Sequence, residues 1–475
     1  MARLGAAALM GVLVAGGSPA EAQLVEQLSS TVQAYVSVSD PVVALVGVTV
    51  VDGTGSPPQR NQTVVLRQGR IQAVGPSGQI SVPGNARVLE LPGHTVLPGL
   101  VGMHNHTFYT TRGRGVQLSF TAPRLYLASG ITTLRTTGGR EPYNEVNMAR
   151  EVEQGLLPGP RIILTGPYIT GRGGGNSMAQ VSGPDEARRV VRYWAEEGAT
   201  WFKAYTRISR EELGAAIQEA HSRGLRFTGH LCSVSFQEAV ALGIDNLEHG
   251  FFTNTDWVPN RAPDSCPSNL LGLLSEVDVA SPEVNTTIRA MVENDVSLTS
   301  TLAVYELLVP GRPPLEERVL SALAPDARQE YLSVRSEIEA QGQGHFMVDV
   351  FRKGQAFELA YHRAGGLLAA GVDPTGIGGA LPGYGDQRNF ELLVEAGFTP
   401  VEVVQVMSLN GARILGMDDE LGSVEVGKRG DLVVIQGDPI SRPEDIRKVV
   451  TVFKDGVGYD AGRLEEAVQG LVGVR

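Results

Sequence analysis

The segment Pro98-Gly-Leu-Val-Gly-Met-His104-Asn105-His106 is an apolar run that ends in two histidines one residue apart. In an extended strand, side chains two positions apart project to the same side, so the imidazoles of His104 and His106 can converge on one metal ion. Alone the pair carries little weight, because two unrelated polar residues in a turn read the same and motifs this short recur by chance. Four further segments end in residues that such a site would need. Lys203 closes Trp201-Phe202-Lys203, His230 follows the run from Arg226 to Gly229, His249 ends Asn246-Leu247-Glu248-His249, and Asp373 follows Ala369-Ala370-Gly371-Val372. Each has an ordinary reading too: Lys203 as a core ion pair, His249 as a hydrogen-bonded core histidine. Their types, order and placement at segment ends argue jointly for one site.

The elements that must position these residues alternate between strand and helix from Leu100 to about Gly416, which favours a parallel α/β arrangement. Strands are predicted near Leu100 to His106, Ile131 to Arg135, Arg161 to Thr165, Thr200 to Ala204, Arg226 to His230, Ile244 to His249, Val296 to Ser300 and Gly371 to Asp373. Eight is the strand number of a (β/α)8 TIM barrel, here spanning residues 99–414, whose C-terminal strand ends share the face where active sites are built. Ser209 with Glu212 forms a capping box for a helix that stops at Gly224. Asn254 to Gly366 exceeds a minimal unit, with helical stretches at Pro282 to Asn294, Leu315 to Leu323 and Arg328 to Ala340, and reads as a partial lid.

Outside the barrel the texture is short β segments: Leu45 to Val51, Thr63 to Leu66, a hairpin at Gln68-Gly69, Ile71 to Val74, then Gly422 to Val426, Asp431 to Ile435 and Lys448 to Phe453. Residues 41–98 and 415–465 are expected to pair as one small β-sandwich domain. At the start, Arg3, the apolar run Leu4 to Gly16 and Ala20-Glu21-Ala22 read as a cleavable signal peptide over residues 1–22, placing the mature protein in the periplasm or outside the cell. That run is too short to span a membrane, and no later stretch qualifies.

With 475 residues, 42% of them hydrophobic, the chain can bury a large core. A net charge of -12 with scattered basic residues argues against nucleic-acid binding. Self-association is left open. The two cysteines, Cys232 and Cys266, are too few for a disulfide framework or a thiolate zinc site, and the reading favours two unbridged thiols. Cys232 lacks an orienting base, so packing is preferred over a nucleophilic role. Gly171 to Gly175 lacks the ending of a phosphate loop. His94, His221, His345 and His362 are read as solvated or locally bonded.

The strand-end residues, together with Thr399-Pro400 through Asn410-Gly-Ala412, Leu421-Gly-Ser-Val-Glu-Val-Gly427-Lys428 and Gly430-Asp431-Leu432, resemble the amidohydrolase superfamily, and within it the imidazolonepropionase-related branch with prolidase-like metal-dependent hydrolases. The resemblance covers nearly the whole mature chain and is specific for fold and metal centre, not for substrate. It implies two divalent ions, zinc by type. His104, His106 and Asp373 would hold the first, and His230 and His249 the second. Lys203 would bridge them as a carbamate, since a charged lysine would repel both ions. Asp373 would also shuttle the proton of a metal-bridging water to the leaving amine.

For the substrate, Tyr205 lies two residues beyond Lys203 and can reach the substrate carbonyl from the same side. Arg172 and Arg388, expected on loops, read first as ordinary surface residues and alternatively as guanidinium groups that hold a substrate carboxylate bidentately. Where relatives often carry another histidine after the last aspartate, this chain reads Gln387-Arg388-Asn389, which leaves specificity open. The leading expectation is hydrolysis of an amide bond in a dipeptide or N-acyl amino acid. A lactone, carbamate or cyclic amide would use the same centre, and a barrel that binds without catalysis is the rival from another class.

Overall fold

The structure is a computed structural model and describes residues 25–474. The expected signal peptide, residues 1–22, lies outside the described residues.

The apolar runs form buried strands where expected. Leu100–Asn105 and Ile131–Thr136 are buried at every position and pair in parallel, and Arg161–Ile163 continues the same sheet. A second parallel sheet takes Thr165–Gly171, Trp201–Ala204, Arg226–Gly229, Asn246–Glu248, Ser297–Ser300 and Leu368–Ala370 side by side in chain order, with Ala179–Val181 at its edge. The two sheets touch at both seams. Gly139 bridges to Pro167, and Thr165 N donates to Thr136 Oγ1 at 3.0 Å. At the other seam Asp373 N donates to the His104 carbonyl at 2.9 Å. A Cβ on Gly371 would stand 2.2 Å from His104 N, so this approach requires glycine. The last strand ends earlier than expected. It is Leu368–Ala370, and Gly371 to Asp373 is the segment that turns out of it towards His104.

The two ends of the chain do pair. His94–Pro98 runs antiparallel to Leu432–Gln436 within one nine-stranded sheet, and Val43, Leu45, Val64 and Leu66 share a core cluster with Leu432, Val434 and Phe453. The hairpin between Gln59–Arg67 and Arg70–Pro76 turns on Gln68 and Gly69, with φ of 48° and 75°. Gly422 to Val426 is not a strand; its Val424 N–H is satisfied instead by the Asp52 carbonyl at 2.9 Å.

The capping box of Ser209 and Glu212 opens helix Arg210–His221. The long excursion carries helices Pro282–Glu293, Glu317–Ala322 and Pro325–Glu339 close to their expected positions, and a 17-residue helix, Met347–Arg363, that the sequence reading did not place. The expectation of two free thiols is overturned. Cys232 and Cys266 form a disulfide with Cα atoms 4.9 Å apart, because the segment after Asn254 folds back over the turn that follows His230.

Candidate metal centre

All six residues that the sequence singles out for a metal centre meet at the ends of the parallel strands. His104 is the penultimate residue of its strand and His106 follows that strand; Lys203 is the third residue of Trp201–Ala204, and His230 and His249 directly follow theirs. His249 and Asp373 adopt left-handed backbone with φ of 67° and 48°. Non-glycine residues pay roughly 1–2 kcal/mol for that conformation, and it persists where surrounding structure dictates it, often at functional sites. Here it turns both side chains into the cluster.

Lys203 Nζ stands 3.1 Å from His104 Nε2. Asp373 Oδ1 is 3.3 Å from His106 Nε2, and its Oδ2 is 3.7 Å from His104 Nε2 and 3.8 Å from His249 Nε2. The rings of His230 and His249 are 4.4 Å apart. Ligand atoms of His104, His106 and Asp373 all lie within 4.8 Å of one another.

Burial dominates the protonation of this cluster. It pulls His106 down to about 4 and His230 to about 3, and lowers His104 and His249 as well, so the imidazoles are neutral and keep a lone pair for a metal. Burial also lowers Lys203 to about 8, which makes the neutral amine accessible near neutral pH. Burial would raise Asp373, but the surrounding imidazoles outweigh it and hold the carboxyl well below its usual range.

A second ring of residues fixes the first. His104 Nδ1 donates to Glu248 Oε2 at 2.7 Å, while Glu248 Oε1 accepts from Arg135 and from Thr228, each at 2.6 Å. A carboxylate only accepts, so the His104 proton sits on Nδ1 and the Nε2 lone pair faces Lys203 and Asp373. His249 Nδ1 is held 2.7 Å from Thr301 Oγ1, and its Nε2 is buried without a hydrogen-bond partner among the described residues. A buried, unpartnered imidazole nitrogen beside a carboxylate and two other imidazoles belongs to a donor set suited to a divalent ion.

The sequence profile of the Amidohydrolase family matches residues 95–319 and 337–458. This chain belongs to that family. A candidate prolidase from Bifidobacterium longum superposes with a TM-score of 0.64 at 25% identity, covering 90% of this chain and 98% of that one. A Xaa-Pro dipeptidase with bound methionine in its active site gives a TM-score of 0.67 at 20% identity over 88% and 100% of the two chains. An imidazolonepropionase of Porphyromonas gingivalis is 48% identical over 40 residues, which is 8% of this chain and only 10% of that relative. The match to the Amidohydrolase family over most of the chain is what supports reading the protein as a hydrolase acting on carbon–nitrogen bonds.

Around the centre of this amidohydrolase the walls are aromatic. Phe108 stacks on His106 with centroids 4.5 Å apart, and the Tyr168 hydroxyl lies within hydrogen-bond distance of His106 Nε2, at 3.2 Å. Tyr205 lies where its spacing from Lys203 places it, 4.6 Å from the His230 ring, and burial pushes its phenol up to about 12. The two arginines expected to meet substrate are committed elsewhere. Arg388 lies in helix Tyr384–Glu395 rather than on a loop, with Nε and Nη2 on Glu306 at 2.9 and 2.7 Å and Nη1 on Glu391 at 2.5 Å. Arg172 is exposed and donates to Ser182 Oγ at 2.9 Å. Bonded in the disulfide, Cys232 has no free thiol. His94, His221, His345 and His362 are bonded or packed locally, away from the cluster.

Sequence reasoning missed Glu248, Arg135, Thr301 and Tyr168. The available signal was charge in apolar strands: Glu248 in Asn246–Glu248 and Arg135 in Ile131–Thr136 are fully buried charges that must find each other.

Proposed function

We propose that this amidohydrolase cleaves the amide bond of a small carboxylate-bearing substrate, a dipeptide or N-acyl amino acid, at a centre of two divalent ions, zinc by type. His104, His106 and Asp373 would hold one ion and His230 and His249 the other. The observation that carries this reading is the convergence of four neutral imidazoles, a carboxylate and a lysine of lowered pKa in one buried cluster. Lys203 would bridge as a carbamate: its neutral amine adds carbon dioxide, a proton leaves, and a cation becomes an oxygen-donor anion.

Bound ions would supply an acidified water and polarisation of the scissile carbonyl. The residues do the rest. Asp373, beside three imidazoles and ionised, accepts the water proton on one oxygen and returns it to the leaving amine, so one carboxylate serves as base and then acid. Tyr205, protonated at neutral pH because burial raises its phenol, donates to the carbonyl oxygen as negative charge develops there. Phe108, Tyr168 and Tyr305 exclude water from the reacting atoms.

The two parallel sheets would close as one barrel over residues 99–414, as the contacts at both seams support, and the terminal sheet would curl into a β-sandwich from residues 41–98 and 415–465, as the return of Ile71 onto Lys428 at 2.9 Å supports. Residues 1–22 would be a signal peptide and the mature protein periplasmic or secreted; the disulfide supports that location, since such bonds persist in oxidising compartments. No helix among the described residues is long and apolar enough to cross a membrane.

The test is amine release from a panel of dipeptides and N-acyl amino acids by the metal-reconstituted protein, with and without a chelator. Release that the chelator abolishes supports the reading. A protein that holds two metals and releases no amine, yet opens lactones, would replace it with the ester reading.

A further inference from the structure

With Arg388 and Arg172 engaged elsewhere, the carboxylate of the proposed substrate needs a different partner. Arg140 follows Gly138-Gly139 at the C-terminal end of strand Ile131–Thr136, on the same rim as the cluster. Its guanidinium carbon lies 5.7 Å from the centroid of Phe108, whose ring stacks on His106 at 4.5 Å. Its charge reaches the Tyr168 phenol, which bonds His106 Nε2. Opposite it is Gly115, on the short hairpin formed by Phe108–Thr110 and Gly115–Gln117; a Cβ there would stand 2.6 Å from Arg140 Nη1. The glycine leaves room for the guanidinium beside the aromatic wall.

The neighbouring arginines of this mouth are paired. Arg112 meets Glu337, and Arg114 meets both Asp326 and Glu330. Arg140 is half-buried, and no carboxylate or carbonyl among the described residues accepts from it. Arg207 also lacks such a partner, but it is exposed, beside the Gly171 to Gly175 loop. A half-buried guanidinium without a protein acceptor, packed on an aromatic face and one ring away from a metal-ligand candidate, offers the paired donors that a carboxylate takes.

We propose that Arg140 is the receptor for the substrate carboxylate, placing that group on the His106 side of the centre and leaving the remainder of the substrate to lie along Tyr205 and Tyr305. This inference rests on the amide-hydrolase reading above and names the specificity residue within it. The ligand class is an α-carboxylate-bearing amide.

The experiment compares kcat/KM for N-benzoyl and glycyl derivatives of glycine, leucine, phenylalanine and proline with that for their C-terminal carboxamides. It uses the wild type, Arg140→Gln, Arg140→Lys and Arg207→Gln. Loss of a charged pair is expected to lower the acid-to-carboxamide ratio on the order of 10- to 100-fold in Arg140→Gln, mostly through KM, with partial recovery in Arg140→Lys and no change in Arg207→Gln. A ratio that Arg140→Gln leaves intact, a ratio that Arg207→Gln collapses, or a wild type with no preference for acids overturns the inference while the amide reading stands. If the wild type cleaves none of these compounds, the amide reading fails. Calorimetry with the N-benzoyl acids then decides the inference separately: binding lost in Arg140→Gln sustains it, and absent or unchanged binding overturns it.

Discussion

Replacing Glu248 with Gln exchanges one oxygen for an NH2 group and removes a charge where Arg135 and His104 meet, all three fully buried. Burial would raise the Glu248 carboxyl, but Arg135 and His104 outweigh it and hold it at about 2, so wild-type Glu248 is ionised at any assay pH. Its contribution is present above the unfolded carboxylate range and is lost only as pH falls through about 2. In Glu248→Gln two orientations are available. If the amide oxygen stays on Arg135, which it meets at 2.6 Å, the NH2 faces His104 Nδ1. That nitrogen must then give up its proton, which moves to Nε2 and removes the lone pair aimed at Lys203 and Asp373. If the amide flips, its NH2 opposes the guanidinium and two donors face each other without water. The first orientation costs metal affinity, on the order of 10- to 100-fold for loss of a partner that orients a ligand histidine. Both weaken two charged hydrogen bonds and leave Arg135 without a counter-charge, for about 2–4 kcal/mol of stability. The assay measures metal per chain by elemental analysis at fixed free zinc, and denaturant unfolding of the chelated protein, so that metal binding does not mask the change in fold stability. Full metal content together with an unchanged unfolding midpoint would refute the reasoning, because neither the tautomer nor the charge would then matter.

Asp373→Asn removes the proton carrier, and kcat on any cleaved amide should fall by about 10²–10⁴, read by steady-state kinetics at saturating metal; undiminished kcat would assign the proton transfer elsewhere. Glu358 is buried, and burial, outweighing the opposing pull of the Ser300 hydroxyl, raises it to about 8. The folded state thus keeps a proton that the unfolded chain releases near pH ~4.3, so stability falls as pH rises from there towards about 8. Glu358→Gln should flatten that slope and gain on the order of 4–5 kcal/mol at pH 8 against little at pH 4, seen by unfolding at the two pH values; parallel profiles for variant and wild type would reject it. The Cys232–Cys266 bond closes a loop of sequence separation 34, worth about 3–4 kcal/mol in chain entropy. Cys266→Ser should lower the unfolding free energy by that order, and the unreduced wild type should show no thiol reactive towards Ellman-type reagents.

The first ring of the site was legible because each ligand candidate breaks a local pattern: an apolar run of strand length ends in a residue that no core needs. That signal holds for His104, Lys203 and His249 whatever the rest of the chain does, and the parallel strands then bring the ends together. It set the last strand three residues late, since Gly371 to Asp373 is apolar like a strand but turns out of the sheet to meet the His104 carbonyl. The second ring was not legible, and for one reason. Arg388 and Arg140 both follow glycine-rich segments near strand ends, and nothing within ten residues of either says which is free. What distinguishes them is Glu306, 82 residues from Arg388, and the opening left by Gly115. Glu248 is the same case: it adjoins His249 in sequence, yet its partners are His104, 144 residues away, and Arg135, 113 away. Alternation along a strand fixes which side chains turn inward, but opposite charges that meet across a core are chosen by the fold. Metal ligands can be proposed from residue type at a strand end, whereas the residues that set a ligand's tautomer, or are left unpaired to receive a substrate, emerge only once every charge has been matched to its partner.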